Sequence, residues 1–467
     1  MARTIPRSQT RATPASFLQC LGYFLTAEVW RQAHQAMRRP RSQRWQSHPM
    51  LFVLLLMTWC AGDSLPERFE TARAFYVACY QRRRRPGKTV EGWQKALARI
   101  PGSALRAVAA ALRRRLGQVF AKRLLVDGFI PLGCDGSRLQ CCRSQELEEH
   151  LLMKRKKHKR VRQRQIAVDP APQVWLTALV HLSLGILWSW RLGKGTASER
   201  HHLVQLLPTL PKRALLVADA GFISYDLLKK LVQSEVSFLI RLSSVAPLYT
   251  TGKIARHRFQ EDALYYWPQK QQLREKAPVR VRVLRIRSCG KADVWLMTNV
   301  LDPTQLSRES ASRFYRWRWR SEGLFRTYKR TLGKVKLMSR SVAMVHREAE
   351  GSLLAVQLLL AHGALALPET LDHQPRLPSA RKVLLEIRAE IRNVTGMYLG
   401  PRQWITYWDR LRRLRPERRK PRRNKVRRRW PGRADHKPPG PPRILKMGTI
   451  LKDLAEKTLG LPLAPSG

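Results

Sequence analysis

Four residues in one stretch combine a carboxylate with groups that grip phosphate. In Phe314-Tyr-Arg-Trp-Arg-Trp-Arg-Ser-Glu-Gly-Leu-Phe-Arg-Thr-Tyr-Lys-Arg330 they are Tyr315, Arg318, Glu322 and Lys329. The stretch suits a helix, with no proline and no β-branched run. At about 100° per residue the four fall at roughly 0°, −60°, −20° and −40°, one stripe about 60° wide. A lone carboxylate among cations and a phenol suits a divalent metal ion held against a phosphate backbone. A solvated basic face is the bland alternative, and arginine-rich chains make many of them.

Glu322 needs partners, and acids are scarce enough here for their positions to matter. Asp135, in Gly133-Cys-Asp-Gly-Ser-Arg138, follows a strand pattern and precedes a turn. Asp219, in Val217-Ala-Asp-Ala-Gly-Phe222, ends the apolar run that begins at Ala214, as buried central strands do. Sites in open α/β sheets gather outside the carboxyl ends of strands. Two aspartates there, with a glutamate from a helix crossing the sheet, suit two divalent cations about 4 Å apart. Such a pair activates a water or a 3′-hydroxyl and stabilises the leaving oxygen of an in-line phosphoryl displacement. Oxygen donors favour Mg²⁺, or Mn²⁺ in its place. Each acid also has a plainer reading. Asp135 before Gly-Ser suits a turn, Asp127 in Val126-Asp-Gly-Phe129 is the second choice for its role, and Glu322 could simply pair with Arg318 or Arg320.

The spacing Tyr315-x2-Arg318-x3-Glu322-x6-Lys329 resembles the Tyr-Arg-Glu-Lys signature of the bacterial "insertion sequence four" family of DDE transposases. Asp-Gly-Ser at 135 and Asp-Ala-Gly-Phe at 219 are similar to that family's first two catalytic blocks. The resemblance covers about residues 124–345. It implies an RNase H-like mixed-sheet α/β core with Asp135, Asp219 and Glu322 as the metal triad. It also implies a β-rich insertion between the second aspartate and the glutamate. The 103 residues from Asp219 to Glu322 leave room for one at about 243–300. The implied activity is metal-dependent cleavage of double-stranded DNA at inverted-repeat ends, then joining of the freed 3′-hydroxyl to target DNA. Tyr315, Arg318 and Lys329 would hold phosphates, and Trp295 would stack on a flipped base. A homodimer on DNA and a bacterial cytoplasmic, nucleoid-associated protein follow from the same resemblance. A DNA-binding relic without activity is the alternative.

Composition agrees with a polyanion partner. The 467 residues hold 89 Lys/Arg against 33 Asp/Glu, a net charge of +56, which binds nucleic acid at low salt whatever the fold. On charge alone ribosomal RNA or an anionic membrane surface would serve equally. Seven cysteines without paired metal-site spacing argue against zinc and against a secreted disulfide framework. The apolar runs near 51–61 and 353–367 are too short or too interrupted for a membrane span.

The elements that must place the triad follow from periodicity. Residues 1–20 read as loose, and Ala27 to Lys122 as helices forming a possible DNA-binding domain over 1–123 or a bundle on the core. Strands are expected at 124–139, 174–180, 185–191, 214–219 and 237–242, with helices at 198–207 and 225–233. That order, β-β-β-α-β-α-β, is a mixed sheet covered by helices. Strand-like, basic sequence follows to about 300, then the helix at 314–330. Apolar helices are expected at 342–367 and 381–392, within a region 346–400. Residues 401–467 read as a basic, proline-rich, disordered tail, with 17 Lys/Arg against three acids over 401–443. A second basic run, Lys154–Arg164, carries eight Lys/Arg and no acid. Both runs could grip flanking DNA through phosphates.

Overall fold

Ala214–Ala218 is five apolar residues in a row, and all five are buried, because helices cover both faces of the sheet it belongs to. The computed structural model describes residues 16–38, 43–80, 85–152, 171–252, 264–288, 291–367, 377–395, 407–414 and 441–463. The Lys154–Arg164 run and most of 401–443 lie outside them.

Six helices come first: α1 (Phe17–Phe24), α2 (Ala27–Met37), α3 (Ser47–Trp59), α4 (Leu65–Cys79), α5 (Val90–Ala98) and α6 (Ala104–Val119). The expected looseness of residues 1–20 stops short of α1, whose Phe17 and Cys20 are buried. A capping box between Ser16 and Gln19 starts that helix. Thr89 caps α5, its hydroxyl accepting from the Gly92 N–H at 3.2 Å.

After the short α7 (Ala121–Leu124) come β1 (Ile130–Gln140), α8 (Gln145–Leu151), β2 (Gln173–His181) and β3 (Ile186–Lys194). Then come α9 (Glu199–Leu206), β4 (Ala214–Ala218), α10 (Tyr225–Gln233) and β5 (Ser237–Arg241). The strand expected from Leu124 starts later. Val126 and Phe129 close a tight turn through Asp127 and Gly128, whose φ angles are +48° and +79°. β6 (Leu248–Thr250), β7 (Leu264–Tyr266), α11 (Gln269–Gln272), β8 (Val279–Ser288) and β9 (Lys291–Thr298) fill the expected insertion. They do not stand apart from the core. β9 pairs antiparallel with β5, so one ten-stranded sheet runs β10-β6-β7-β8-β9-β5-β4-β1-β2-β3. Both β1–β4 and β4–β5 are parallel, and β1–β2–β3 is an antiparallel meander. In β8 the adjacent Val283 and Leu284 are both buried, one on each face of the sheet.

The stretch at 314–330 is helical but not one helix. α12 (Arg308–Trp317) ends at Arg318, α13 (Trp319–Arg326) follows, and Thr327–Thr331 is a wider π turn closed by Leu332 N–H on Thr327 C=O. Then come α14 (Val342–Leu365), α15 (Ala380–Val394), α16 (Tyr407–Arg412), β10 (Ile444–Lys446) and α17 (Thr449–Leu459). The last two correct the expectation of a wholly disordered tail. β10 adds parallel to β6, and Met447 and Ala455 pack with Tyr265 and Trp267. α16 is also ordered, with Tyr407 buried against His362.

Candidate active site

Strand register fixes two of the acids. β1 and β4 run parallel, with Gly133 opposite Val217 as their last paired residues. Asp135 and Asp219 lie two residues beyond on each strand, so they occupy equivalent positions and point to the same face. Asp135 is therefore inside a strand, not in a turn after one, since β1 continues along β2 to Gln140. The face is identified by its packing. Leu215 and Val217 of β4 join Phe314, Tyr315 and Trp317 of α12 in one buried cluster, while Leu216 faces the other way.

The helical segment lies along β1 on that face. Gly133 lets it come close: a Cβ there would meet Ser321 Oγ at 2.7 Å and Leu182 Cδ2 at 2.6 Å. Farther along, the Lys329 amine donates to Ser137 Oγ at 2.7 Å. From Gly133 to Ser137 a strand advances about 13 Å, and from Ser321 to Lys329 a helix advances about 12 Å. The segment thus runs beside β1, which puts Glu322 within electrostatic reach of Asp135.

The electrostatics agree with this convergence. Burial pushes the Asp135 carboxyl above the usual carboxylate range. The Gly136 N–H and Arg318 pull the other way, while the charges of Glu322 and Asp219 add to the rise. Asp219 accepts from the Ala220 N–H at 2.9 Å and has Arg241 of β5 at 3.9 Å. The Tyr315 hydroxyl is 3.5 Å from Asp219 Oδ1, and burial, then the charge of Asp219, pushes the pKa of the phenol up. The Arg318 guanidinium lies between the rings of Tyr315 and Trp319, 5.5 and 5.0 Å from their centres, with 6% of the residue exposed. Burial lowers the Lys329 amine.

Six of the expected residues are therefore brought together: Asp135, Asp219, Glu322, Tyr315, Arg318 and Lys329. Trp295 is not. Leu296 belongs to the cluster under α12, so its neighbour Trp295 points to the opposite face. There it is 8% exposed, with the Arg285 guanidinium 5.6 Å from its ring. Asp127, the second choice to Asp135, is held in its turn by Ser310 and Arg313.

Sequence reasoning missed Gly133, Ser137, Arg241 and Glu199. Glu199 opens α9, where an acid ordinarily complements the helix dipole. Its carboxylate lies where a Gly136 side chain would be. Among the described residues, no three His, Cys, Asp or Glu side chains stand close enough to share one ion. No helix among them is long and apolar enough to cross a membrane.

No curated protein matches the sequence. Among solved structures, a piggyBac transposase synaptic complex with hairpin DNA is similar at a TM-score of 0.40 and 11% identity, covering 82% of this chain and 81% of that one. The family model described as the transposase DDE domain matches residues 134–358. Residues 134–358 are thus similar to a transposase DDE domain, and the function this supports is DNA transposition.

Proposed function

We propose that Asp135, Asp219 and Glu322 form the catalytic triad of a metal-dependent, cut-and-paste DNA transposase with an RNase H-like core, of the Tyr-Arg-Glu-Lys group. The observation that carries this reading is the register. Two aspartates stand at equivalent positions beyond the last parallel pair of β1 and β4, beneath the segment that bears Glu322.

The donor set fits Mg²⁺ or Mn²⁺. Three carboxylates offer hard oxygens. The Asp135 carboxyl is half-buried beside two other acids, an arrangement a cation relieves. When bound, the ions would make the attacking oxygen nucleophilic and stabilise the leaving 3′-oxygen.

The remaining residues do the positioning. Arg318 and Lys329 supply the positive charge that holds a DNA phosphate over Asp135. The Tyr315 hydroxyl and Arg241 orient Asp219. No protein nucleophile is required, so the chain forms no covalent bond to DNA. The partners are then double-stranded DNA with the element's inverted-repeat ends, the target DNA, and a second copy of the chain to pair the two ends. The charge of +56 supplies affinity that does not depend on sequence.

The test incubates the protein with DNA carrying its element's ends, with and without Mg²⁺, beside Glu322→Ala. Nicking and strand transfer are expected only in the parent with metal. Cleavage that persists in Glu322→Ala overturns the assignment of the triad. A parent that binds the ends but never cuts them is an inactive relic.

A further inference from the structure

We infer that Arg320 is a positioning residue for catalysis: its guanidinium pins the first turn of α13 to the β2–β3 turn and so sets where Glu322 stands. The inference rests on the reading of Glu322 as a metal-binding acid.

The helical segment leaves the placing of Glu322 to its surroundings. α12 is seated by Phe314, Tyr315 and Trp317, which are buried against β4. The helix is then interrupted at Arg318, where the Ser321 N–H turns to the Arg318 carbonyl, three residues back rather than four. α13 starts at Trp319 with no side-chain cap. Across such a break the direction of the second helix is set by what it touches. Glu322 lies in the first turn of α13 and is exposed, so no packing around it holds it.

The β2–β3 turn offers a fixed anchor. β1 and β2 pair with Leu132 opposite His181, so Pro131 stands opposite Leu182. Opposed antiparallel residues exchange two N–H···O bonds. The Leu182 N–H donates to the Pro131 carbonyl at 2.8 Å, but a proline has no N–H to return. The Leu182 carbonyl, in a residue with no exposure, therefore needs a donor from elsewhere. The turn itself is held from below. The His181 Nε2–H donates to the Leu124 carbonyl at 3.0 Å, and Nδ1 accepts from the Leu184 N–H at 3.3 Å. Burial, opposed by the Leu124 carbonyl and helped by the Arg320 charge, pushes the His181 imidazole down to about 4. At neutral pH its Nδ1 is thus an acceptor.

Arg320 supplies the missing donor. Its Nη1 donates to the Leu182 carbonyl and, at 2.7 Å, to the Ser183 carbonyl. The two hydrogens of that nitrogen are both used. The guanidinium also stands 4.9 Å from the centre of the buried Trp317 ring, so one side chain ties the end of α12, the start of α13 and the turn together. The next residue, Ser321, rests over Gly133 beside the Leu182 side chain. An arginine two residues before a catalytic acid, in a chain with 89 Lys/Arg, would ordinarily be assigned to a DNA phosphate. Here Nη1 is turned inward onto protein carbonyls.

The test compares the full-length parent, Arg320→Gln, Arg320→Lys and Glu322→Gln below their melting temperatures. It measures affinity for end-bearing DNA in EDTA at several salt concentrations, the single-turnover cleavage rate on saturating DNA with Mg²⁺, and Mn²⁺ binding to DNA-free protein by calorimetry. Both Arg320 variants are expected to melt lower, yet to keep the parent's DNA affinity and salt slope. Their cleavage should fall about 100-fold, and their Mn²⁺ affinity about 10- to 100-fold. Arg320→Lys keeps the charge but not the reach of the guanidinium. If it cleaves like the parent, charge alone matters and the inference falls. It falls equally if Arg320→Gln loses DNA affinity with a salt slope shallower by about one, the mark of a phosphate contact. If both Arg320 variants match the parent in cleavage and Mn²⁺ binding while Glu322→Gln loses both, the triad stands and α13 needs no pin. If Glu322→Gln keeps both, the triad itself fails. The Mn²⁺ titration decides for a parent that does not cut. Should Arg320→Gln not fold, Arg320→Lys must show the loss of rate at unchanged DNA affinity, or the inference falls.

Discussion

Asp135 is the residue at which burial and charge oppose function most directly. Its carboxyl is raised by burial first, then by Glu322 and Asp219. A carboxyl raised in the folded state stabilises the fold fully only below its unfolded value, and that contribution is lost as pH rises through the folded value. At neutral pH the ionised Asp135 therefore works against the metal-free fold. Asp135→Asn should raise the unfolding midpoint of metal-free protein at pH 7. The advantage should fade below about pH 4, where the parent's carboxyl is protonated. Added Mn²⁺ should reverse the order, because only the parent gains from binding. Thermal unfolding at the two pH values, with and without Mn²⁺, checks all three statements. A variant less stable than the parent at pH 7 without metal would mean that Arg318 and the Gly136 N–H outweigh burial.

The elements place the site through close approaches that a sequence shows only in part. Gly133 is the clearest case, because α13 rests on β1 where a side chain would be. Gly133→Ala must displace Ser321 or Leu182, at a cost of about 1–3 kcal/mol. A shift of about 1 Å at Glu322 lowers a positioned reaction about 100-fold. The variant should bind end DNA like the parent, melt lower and cleave far more slowly; a parent-like melt and rate would show that α13 has slack. The strand and helix order from β1 to β5 was legible because each apolar run is short, buried and bounded by turn residues. Asp219 was legible for the same reason. Glu322 and its companions were legible from spacing, although the break at Arg318 and the π turn at 327–331 were not. The four stay grouped because the segment follows β1, not because it is an ideal helix. The sheet face that Trp295 takes was not legible, because spacing from Tyr315 along the chain says nothing of which face a strand residue takes. Gly136 and Glu199 were invisible, since their meeting depends on how α9 packs over β1.

At the scale of the whole molecule, the divisions suggested by composition are not divisions of the core. α14 is the reason. Leu353, Leu354, Val356, Leu358 and Leu359 on it are at most 1% exposed, which a helix achieves only when covered all round. On one side it packs against α3, α5 and α6, and the Trp59 Nε1–H donates to the Ala355 carbonyl at 3.2 Å. On the other side it packs on β3, where the Gln357 amide donates to the Leu187 carbonyl at 3.0 Å. One continuous cluster then runs from Phe17 through the sheet to Leu411. A fragment of residues 124–345 would keep the triad but lose nearly all of α14 and every N-terminal helix. Each large apolar side chain uncovered costs about 1.5–3 kcal/mol, and a domain's whole margin is about 5–15 kcal/mol. The β3 side chains that α14 covers are uncovered in the fragment, and a few of them are enough to use up that margin. The fragment should therefore bind a hydrophobic dye, lack near-ultraviolet circular dichroism and melt without a cooperative transition. The full chain should show a sharp one. A fragment with a cooperative melt and metal-dependent nicking would instead make the sheet an independent domain, and the N-terminal helices would then be free to act as a separate DNA-binding unit.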